Sequence, residues 1–345
     1  MAIIDKEFRK LCVKIMEEGR EYEDKRRDVK RLQIPSYTFK HSFSDGFPAI
    51  TSKKLYQKGI TTELIWFLRG DNDIEFLNKN NVLIWNKDAY NWYLKNAARL
   101  QTKFLTLEEF SHIGKGSVGQ NYSVQWRKFN GVTDQIDDII KNMKSNIMGT
   151  GLKVNAWNPS ETKLTALPPC HSEFQVVGIP LNLEERLALY SKKCSVENRI
   201  SISVFLTKSY EEATAYLNEE NIPEFGFELH WNQRSVDTFL GLPFNIASYG
   251  FLAKILEGLT GFPALGIEGT LKCVHFYDNQ YEAVKELISR DTMLHGNCEL
   301  APIKDLYPEF PIDYCFNKLT SAHFKLINYS SFKAIKVEML APKNL

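Results

Sequence analysis

The chain has 345 residues, 43% apolar and 25% charged, and its 43 Lys and Arg against 42 Asp and Glu give a formal charge of +1. This is globular usage, enough for one large domain or two modest ones, and it excludes disorder, collagen and coiled coil as the dominant state. The balanced charge argues against a surface built to grip nucleic acid, and the longest apolar runs fall well short of the ~18 residues that span a bilayer. Met1 to Lys6 carry no basic stretch followed by an apolar one, so they do not read as a signal peptide. Cys12, Cys170, Cys194, Cys273, Cys298 and Cys315 are scattered, with no C-x-x-C pair and no zinc-site spacing. They are too sparse for a disulfide scaffold and point to a reducing compartment. The expectation is a soluble cytoplasmic protein with no metal, no membrane contact and no DNA partner.

In chain order, Phe8, Leu11, Cys12, Ile15 and Met16 recur at helical spacing, which predicts an amphipathic helix over 3–19 ended by Gly19. Tyr22 to Arg31 carries five basic residues and reads either as a solvated loop or as an anion site. A buried helix is predicted over 54–69, stopped by Gly70, with a second short helix after Asp71-Asn72-Asp73. Residues 86–119 read as polar and irregular. Ile136, Ile139, Ile140 and Met143 predict a helix over 132–144. Strands are predicted at Leu152–Trp157, Glu173–Val177, Ile200–Phe205, Phe227–Trp231, Ile267–His275, Phe324–Ile327 and Ala334–Glu338. Ser209-Tyr210-Glu211-Glu212 is a capping box that opens a helix, and further helices are predicted over 244–257 and 279–289. Strands and helices interleave irregularly, so the class is α+β, and no linker divides the chain.

Three segments could carry chemistry. Ala166-Leu167-Pro168-Pro169-Cys170-His171 presents a cysteine on a backbone fixed by two prolines. A nucleophilic cysteine needs a nearby cation or donor, and adjacent His171 is badly placed for that because neighbouring side chains on an extended segment point apart. Without such a cation, Cys170 is an ordinary core residue. Gln233 through Tyr249 mixes Arg234, Ser235, Asp237 and Asn245 into an apolar stretch. Arg234 and Ser235 suit a phosphate and Asn245 the edge of a pyrimidine or amide; the plainer reading is a capped helix with polar surface residues. His275 and Tyr277 share one face of a strand and could hold a hydroxyl or a phosphate. Glu63, inside the apolar run Ile60 to Leu68, must find a partner or carry a desolvation cost.

Together these segments resemble the thymidylate synthase family. Glu63 to Asp71, Leu167 to His171, Gln233 to Tyr249, His275-Phe276-Tyr277, Asp45-Gly46-Phe47-Pro48 and Gln125-Trp126-Arg127 occur in the family's order, between about residue 8 and residue 340. The resemblance implies an α+β thymidylate-synthase-like fold, a mixed β-sheet packed against helices, a single domain over 1–345 and a homodimer joined through its sheets. It implies one-carbon transfer from 5,10-methylenetetrahydrofolate to C5 of dUMP, giving dTMP. Cys170 would attack C6 of the ring, and Arg234 would bind the phosphate and help ionise Cys170. Ser235 and Arg26 would bind the same phosphate, and Asn245 would pair with O4 and N3–H of uracil. Gln233 would also contact the substrate, and His275 and Tyr277 would hold the 3′-hydroxyl. Glu63 would act as the acid/base and Tyr122 would sit near C5. Asp237, Trp85 and Gly241 would contact the folate.

The chain also departs from the family pattern. Thr150 and Gly151 stand where the family has two phosphate-binding arginines, so Arg27, Lys30 or Arg31 would have to compensate. Asp88 stands where a second aromatic is usual, and a carboxylate there could activate water and yield hydroxymethyl-dUMP instead. The tail from Leu340 to Leu345 exceeds the usual end. Two insertions, at about 88–118 and 179–222, have no assigned role. The alternatives are dUMP hydroxymethylation and a non-catalytic nucleotide- or RNA-binding homologue.

Overall fold

The computed structural model describes residues 2–25, 27–100, 104–194, 205, 208–291, 295–310 and 316–340, the side chains of 98–100 excepted. Its centre is a seven-stranded mixed sheet in the order β1-β2-β7-β5-β4-β3, with β6 pairing β7. The strands are β1 (Arg20–Asp24), β2 (Val29–Ser42), β3 (Lys153–Asn155), β4 (His171–Pro180), β5 (Phe225–Gln233), β6 (Val236–Asp237) and β7 (Ala264–Tyr277). β5 and β6 run parallel to β7, and the other pairs are antiparallel.

The helices are α1 (Ile3–Glu18), α2 (Gln57–Arg69), α3 (Glu75–Lys79), α4 (Asn86–Leu100), α5 (Leu107–Ile113), α6 (Tyr122–Lys128) and α7 (Gln135–Ser145). They continue as α8 (Leu183–Lys193), α9 (Tyr210–Glu219), α10 (Gly241–Thr260), α11 (Tyr281–Ser289) and α12 (Ile303–Leu306). A parallel neighbour needs a long crossover. Here α10 supplies it between β5 and β7, and it is apolar nearly all round because β5, β7, α2 and α7 all pack on it. α1 covers β2 and β7. Gly70 ends α2 at φ +77°, a left-handed cap that glycine adopts without strain.

The expected mixed sheet against helices is present, and most predicted elements fall where periodicity put them. The run 22–31 is not a loop: β1 and β2 form a hairpin turned at Asp28, φ +57°. Its charges pair across strands, Lys30 with Glu21 at 2.8 Å, while β7 supplies the backbone partner along β2. Residues 86–119 are not irregular either, because they hold α4 and α5. Phe110 packs on Tyr90 at 5.5 Å and on Tyr93 at 5.4 Å, an aromatic contact between helices with polar outer faces. Of Phe324–Ile327 only Leu326–Ile327 is strand (β9), paired with Glu299–Leu300 (β8). Ala334–Glu338 is not a strand, having no ladder partner among the described residues. The predicted strand at Ile200–Phe205 lies outside the described residues apart from Phe205.

In the second insertion, Tyr190, Phe205, Ala213, Leu217 and Ile222 form a small apolar cluster of their own between α8 and α9. Arg186 is buried there, donating to the carbonyls of Pro223 at 3.2 Å and Ile222 at 2.8 Å.

Besides its apolar face, one buried carboxylate ties the N-terminal helix to the segment before α2. Asp5, 1% exposed, accepts from Thr51 N and Oγ1 and from Ser52 N, at 2.7–3.0 Å. Asp5→Ala would leave these donors buried and unpaired. The expected loss is ~2–3 kcal/mol, read from urea unfolding at pH 7.

Candidate active site

The sequence-predicted residues meet at one end of the sheet. His171 pairs with Gln233 across β4 and β5, Asp237 with His275 across β6 and β7, and Arg31 with Tyr277 across β2 and β7. Cys170, Glu63, Trp85, Tyr122, Ser235, Asp237, Gly241, Asn245, Gln233 and Tyr277 line one cavity of about 410 Å³, whereas His275 and Arg234 are not among its lining residues and Arg234 lines a separate hollow. Ile84, Leu167, Leu240, Phe244, Val337, Met339 and Leu340 give the cavity apolar walls.

The cysteine turn is held from two sides. Cys170 N–H donates to the Tyr122 hydroxyl at 2.6 Å. Arg234 N–H donates to the Cys170 carbonyl at 2.8 Å, and its guanidinium donates to the Pro169 and Pro168 carbonyls at 2.8 and 2.9 Å. The guanidinium also lies over the Trp157 ring, 5.2 Å from its centroid. Arg234 therefore fixes the Pro-Pro-Cys backbone and places its charge beside it. His171 stacks on Tyr122 at 4.1 Å and bonds the Tyr249 hydroxyl at 2.9 Å. Complete burial drives it down to about 3, so it is neutral and cannot be the cation that activates Cys170.

Glu63 is half-buried on α2 and accepts from Trp85 Nε1 at 2.7 Å. Burial pushes it up to about 7, only partly opposed by that bond. Asp88, on the first turn of α4, is pushed up by burial to about 6 against the pull of Arg27 and Lys87. Two carboxyls that exchange protons near neutrality thus line one apolar cavity.

On the opposite wall, Gln233 Nε2 donates to Asn245 Oδ1 at 3.0 Å, which fixes that amide with its Nδ2 as the remaining donor. Asp237 Oδ1 accepts from Phe239 N, Leu240 N and Gln280 Nε2, whereas Oδ2 accepts from Gln280 alone at 3.1 Å. His275 Nδ1 donates to the Cys273 carbonyl at 2.7 Å. Its Nε2 is then an acceptor, and it is buried without a partner among the described residues.

Arg26 lies outside the described residues. Its neighbour Arg27 lines the cavity, over the Tyr277 ring at 5.3 Å, and bonds Asp24 at 3.1 Å and the Leu340 carbonyl at 3.2 Å. Arg31 reaches Asp24 at 3.7 Å, and Lys30 is paired with Glu21. Thr150 and Gly151 are exposed in the turn before β3.

A family model described as Thymidylate synthase matches residues 6–341. A protein named Thymidylate synthase from Malacoplasma penetrans is 32% identical over 294 residues, 84% of this chain and 86% of the relative. Others of that name from Phytoplasma mali and Mycoplasma mobile are 31% and 30% identical, over 94% and 96% of this chain and 96% and 99% of theirs. The chain belongs to the thymidylate synthase family.

Beyond the residues that carried the resemblance to this family, sequence reasoning missed Gln280, which orients Asp237. Gln280 lies three residues after Tyr277 and caps that turn, a local polar pattern that could have drawn notice. It also missed Lys53, which donates to the Phe239 carbonyl in the loop that Asp237 caps and is lowered by burial to about 8.

Glu63 sets a pH dependence of stability. Its folded-state value lies above the ordinary 4.5, so ionisation opposes folding as pH rises from 4.5 to about 7, after which the loss is constant. Glu63→Gln and wild type should unfold at the same urea concentration below pH 4.5. By pH 8 the variant should be the more stable by about 2–3 kcal/mol. Denaturation series at four pH values would check this.

Proposed function

We infer that the protein is a thymidylate synthase: it transfers a one-carbon unit to C5 of dUMP and reduces it to a methyl group, giving dTMP. The observation that supports this best is the meeting of Cys170, Glu63, Asn245 and Asp237 around one cavity. Methylenetetrahydrofolate supplies the carbon and then the hydride, leaving dihydrofolate.

Cys170 adds to C6 of the ring, which makes C5 nucleophilic; covalent addition divides one difficult step into two easier ones. Tyr122 and Arg234 hold the cysteine turn for that attack. The fixed Asn245 amide donates from Nδ2 to O4, and Oδ1 accepts N3–H on its second lone pair, so it pairs with uracil and not with cytosine. The bare Nε2 of His275 accepts the 3′-hydroxyl, with Tyr277 beside it. Gln233 and Ser235 complete the substrate wall, and Ser235 binds the phosphate together with Arg234 and the basic hairpin turn at Arg26 and Arg27. Glu63, poised near 7, moves the proton at C5 through water.

The residues fit a reduced folate. Asp237 Oδ2 retains a lone pair for a ring N–H, Trp85 and the apolar wall suit a flat heterocycle, and Gly241 leaves room at the start of α10. Val337, Met339 and Leu340 cover the same space and exclude water, which favours the methyl product over the hydroxymethyl one. The same reading assigns a cytoplasmic homodimer joined through the sheets, with a single domain per chain. A second hollow lined by Trp157, Asn232, Arg234 and Lys272 lies on the sheet side.

Incubation with dUMP and methylenetetrahydrofolate should give a methyl-sized mass gain with dihydrofolate formed, and Cys170→Ala should lower turnover by about 10⁴-fold or more. A hydroxymethyl-sized gain or unchanged dUMP would overturn the inference.

A further inference from the structure

Asp88 is a carboxyl for which the reading above has no use. It is the third residue of α4, one helical turn beyond Trp85, whose indole N–H is already committed to Glu63 at 2.7 Å. Asp88 lines the same cavity as Glu63 and Trp85, beside Ile84, Val337 and Leu340. Among the described residues its carboxyl accepts only from its own backbone N–H, so nothing holds it as a structural ion. The charged groups that face it are Arg27 from the β1–β2 turn and Lys87 from its own helix. Burial outweighs both and keeps the proton on up to about 6.

The donated carbon bridges two nitrogens of the folate, N5 and N10, and must be released from one of them before C5 can take it. N10 carries an aryl group and is a weak base, so it leaves poorly as an anion and well as an amine. An acid at that point lowers the barrier most when its own titration lies near the working pH. Glu63 is tied to Trp85 on the pyrimidine side. Asp88 sits one turn further along the wall and, among the described residues, is bonded only to its own backbone N–H.

We propose that Asp88 is the acid that opens the one-carbon bridge, giving its proton to N10. The proposal rests on the folate-dependent reading above. As the bond from N10 to the bridging carbon breaks, its electron pair stays on N10 and takes the Asp88 proton. The N5 lone pair then forms a double bond to the carbon, the cationic carbon that C5 attacks, and Asp88 is left as carboxylate.

The experiment compares wild type, Asp88→Asn and Asp88→Glu with dUMP and methylenetetrahydrofolate between pH 5 and 9. It also titrates the Asp88 carboxyl by ¹³C NMR in the free enzyme. Asp88→Asn should lower kcat by ~10²-fold with the folate KM within a few-fold, and remove the fall in kcat that wild type shows as pH rises through about 6. Asp88→Glu, which keeps an acid, should recover at least ~10-fold of that loss, and the NMR midpoint should lie near 6. The proposal is overturned if Asp88→Asn keeps kcat within about threefold, if its pH profile retains the wild-type shape, if both variants lose activity equally, or if the carboxyl titrates in the ordinary range near 4. A wild-type enzyme that leaves dUMP unchanged overturns the reading beneath the proposal, and the NMR titration then still reports on Asp88 alone.

Discussion

The parallel register of β5 and β6 on β7 is the constraint from which the site follows. It places Gln233 beside Leu271, and Asp237 beside His275, at the ends of strands that α10 joins in a single crossover. β4 enters from the other side with His171 opposite Gln233. Cys170, immediately before that strand, therefore emerges where the β5–β6 segment turns into α10. A slip of one residue in this register would reverse the facing of every side chain in the set. The sheet is thus the device that brings Cys170, Asn245 and Asp237 from distant parts of the chain to one opening. The Tyr122 and Arg234 bonds only lock what the register has already placed.

The second constraint is desolvation. The walls that exclude water also strip it from Glu63, Asp88, His171 and His275. Both carboxyls rise toward neutrality and both imidazoles are held neutral. Burial alone would make these groups costly ornaments. Glu63 is tolerated because Trp85 donates to it, and Asp237 because the α10 approach and Gln280 supply four contacts. Among the described residues His275 keeps one buried nitrogen unpaired, which a hydroxyl from outside the chain would satisfy. The cavity that makes acid/base work possible near neutral pH is the same cavity that costs stability.

The sequence revealed the interior more readily than the perimeter. Helices with an apolar stripe, such as α1, α2 and α7, and buried strands such as β5 and β7, carry their periods openly. The hairpin does not: β1 is exposed at four of its five positions, so no hydrophobic alternation marks it, and its strand character comes from backbone pairing to β2. α4 hid for a related reason, since its contacts are aromatic patches on a polar helix. Ile335, Val337 and Met339 alternate as a strand would, and the alternation is real. Val337 and Met339 turn toward the cavity, and no neighbouring strand completes a ladder. The catalytic set was legible because its residues are odd against their surroundings, as a glutamate in an apolar helix is. Gln280 and Lys53 were not, because each acts through a neighbour that only the fold brings near.

The perimeter is also where the two ends of the chain meet the site. Asp5 on the first helix fixes Thr51 and Ser52, and the next residue, Lys53, reaches the Phe239 carbonyl in the loop that Asp237 caps. From the other end, the Leu340 carbonyl accepts from Arg27 and the Glu338 carbonyl from Asn279, one residue before the Gln280 that orients Asp237. Besides the packing of Ile335 and Val337 on the core, the C-terminal strap is held by backbone carbonyls that accept from single side chains. Arg27 touches the strap, the Tyr277 ring and Asp24 together. An anion at the hairpin turn would compete for the same guanidinium that bonds the Leu340 carbonyl.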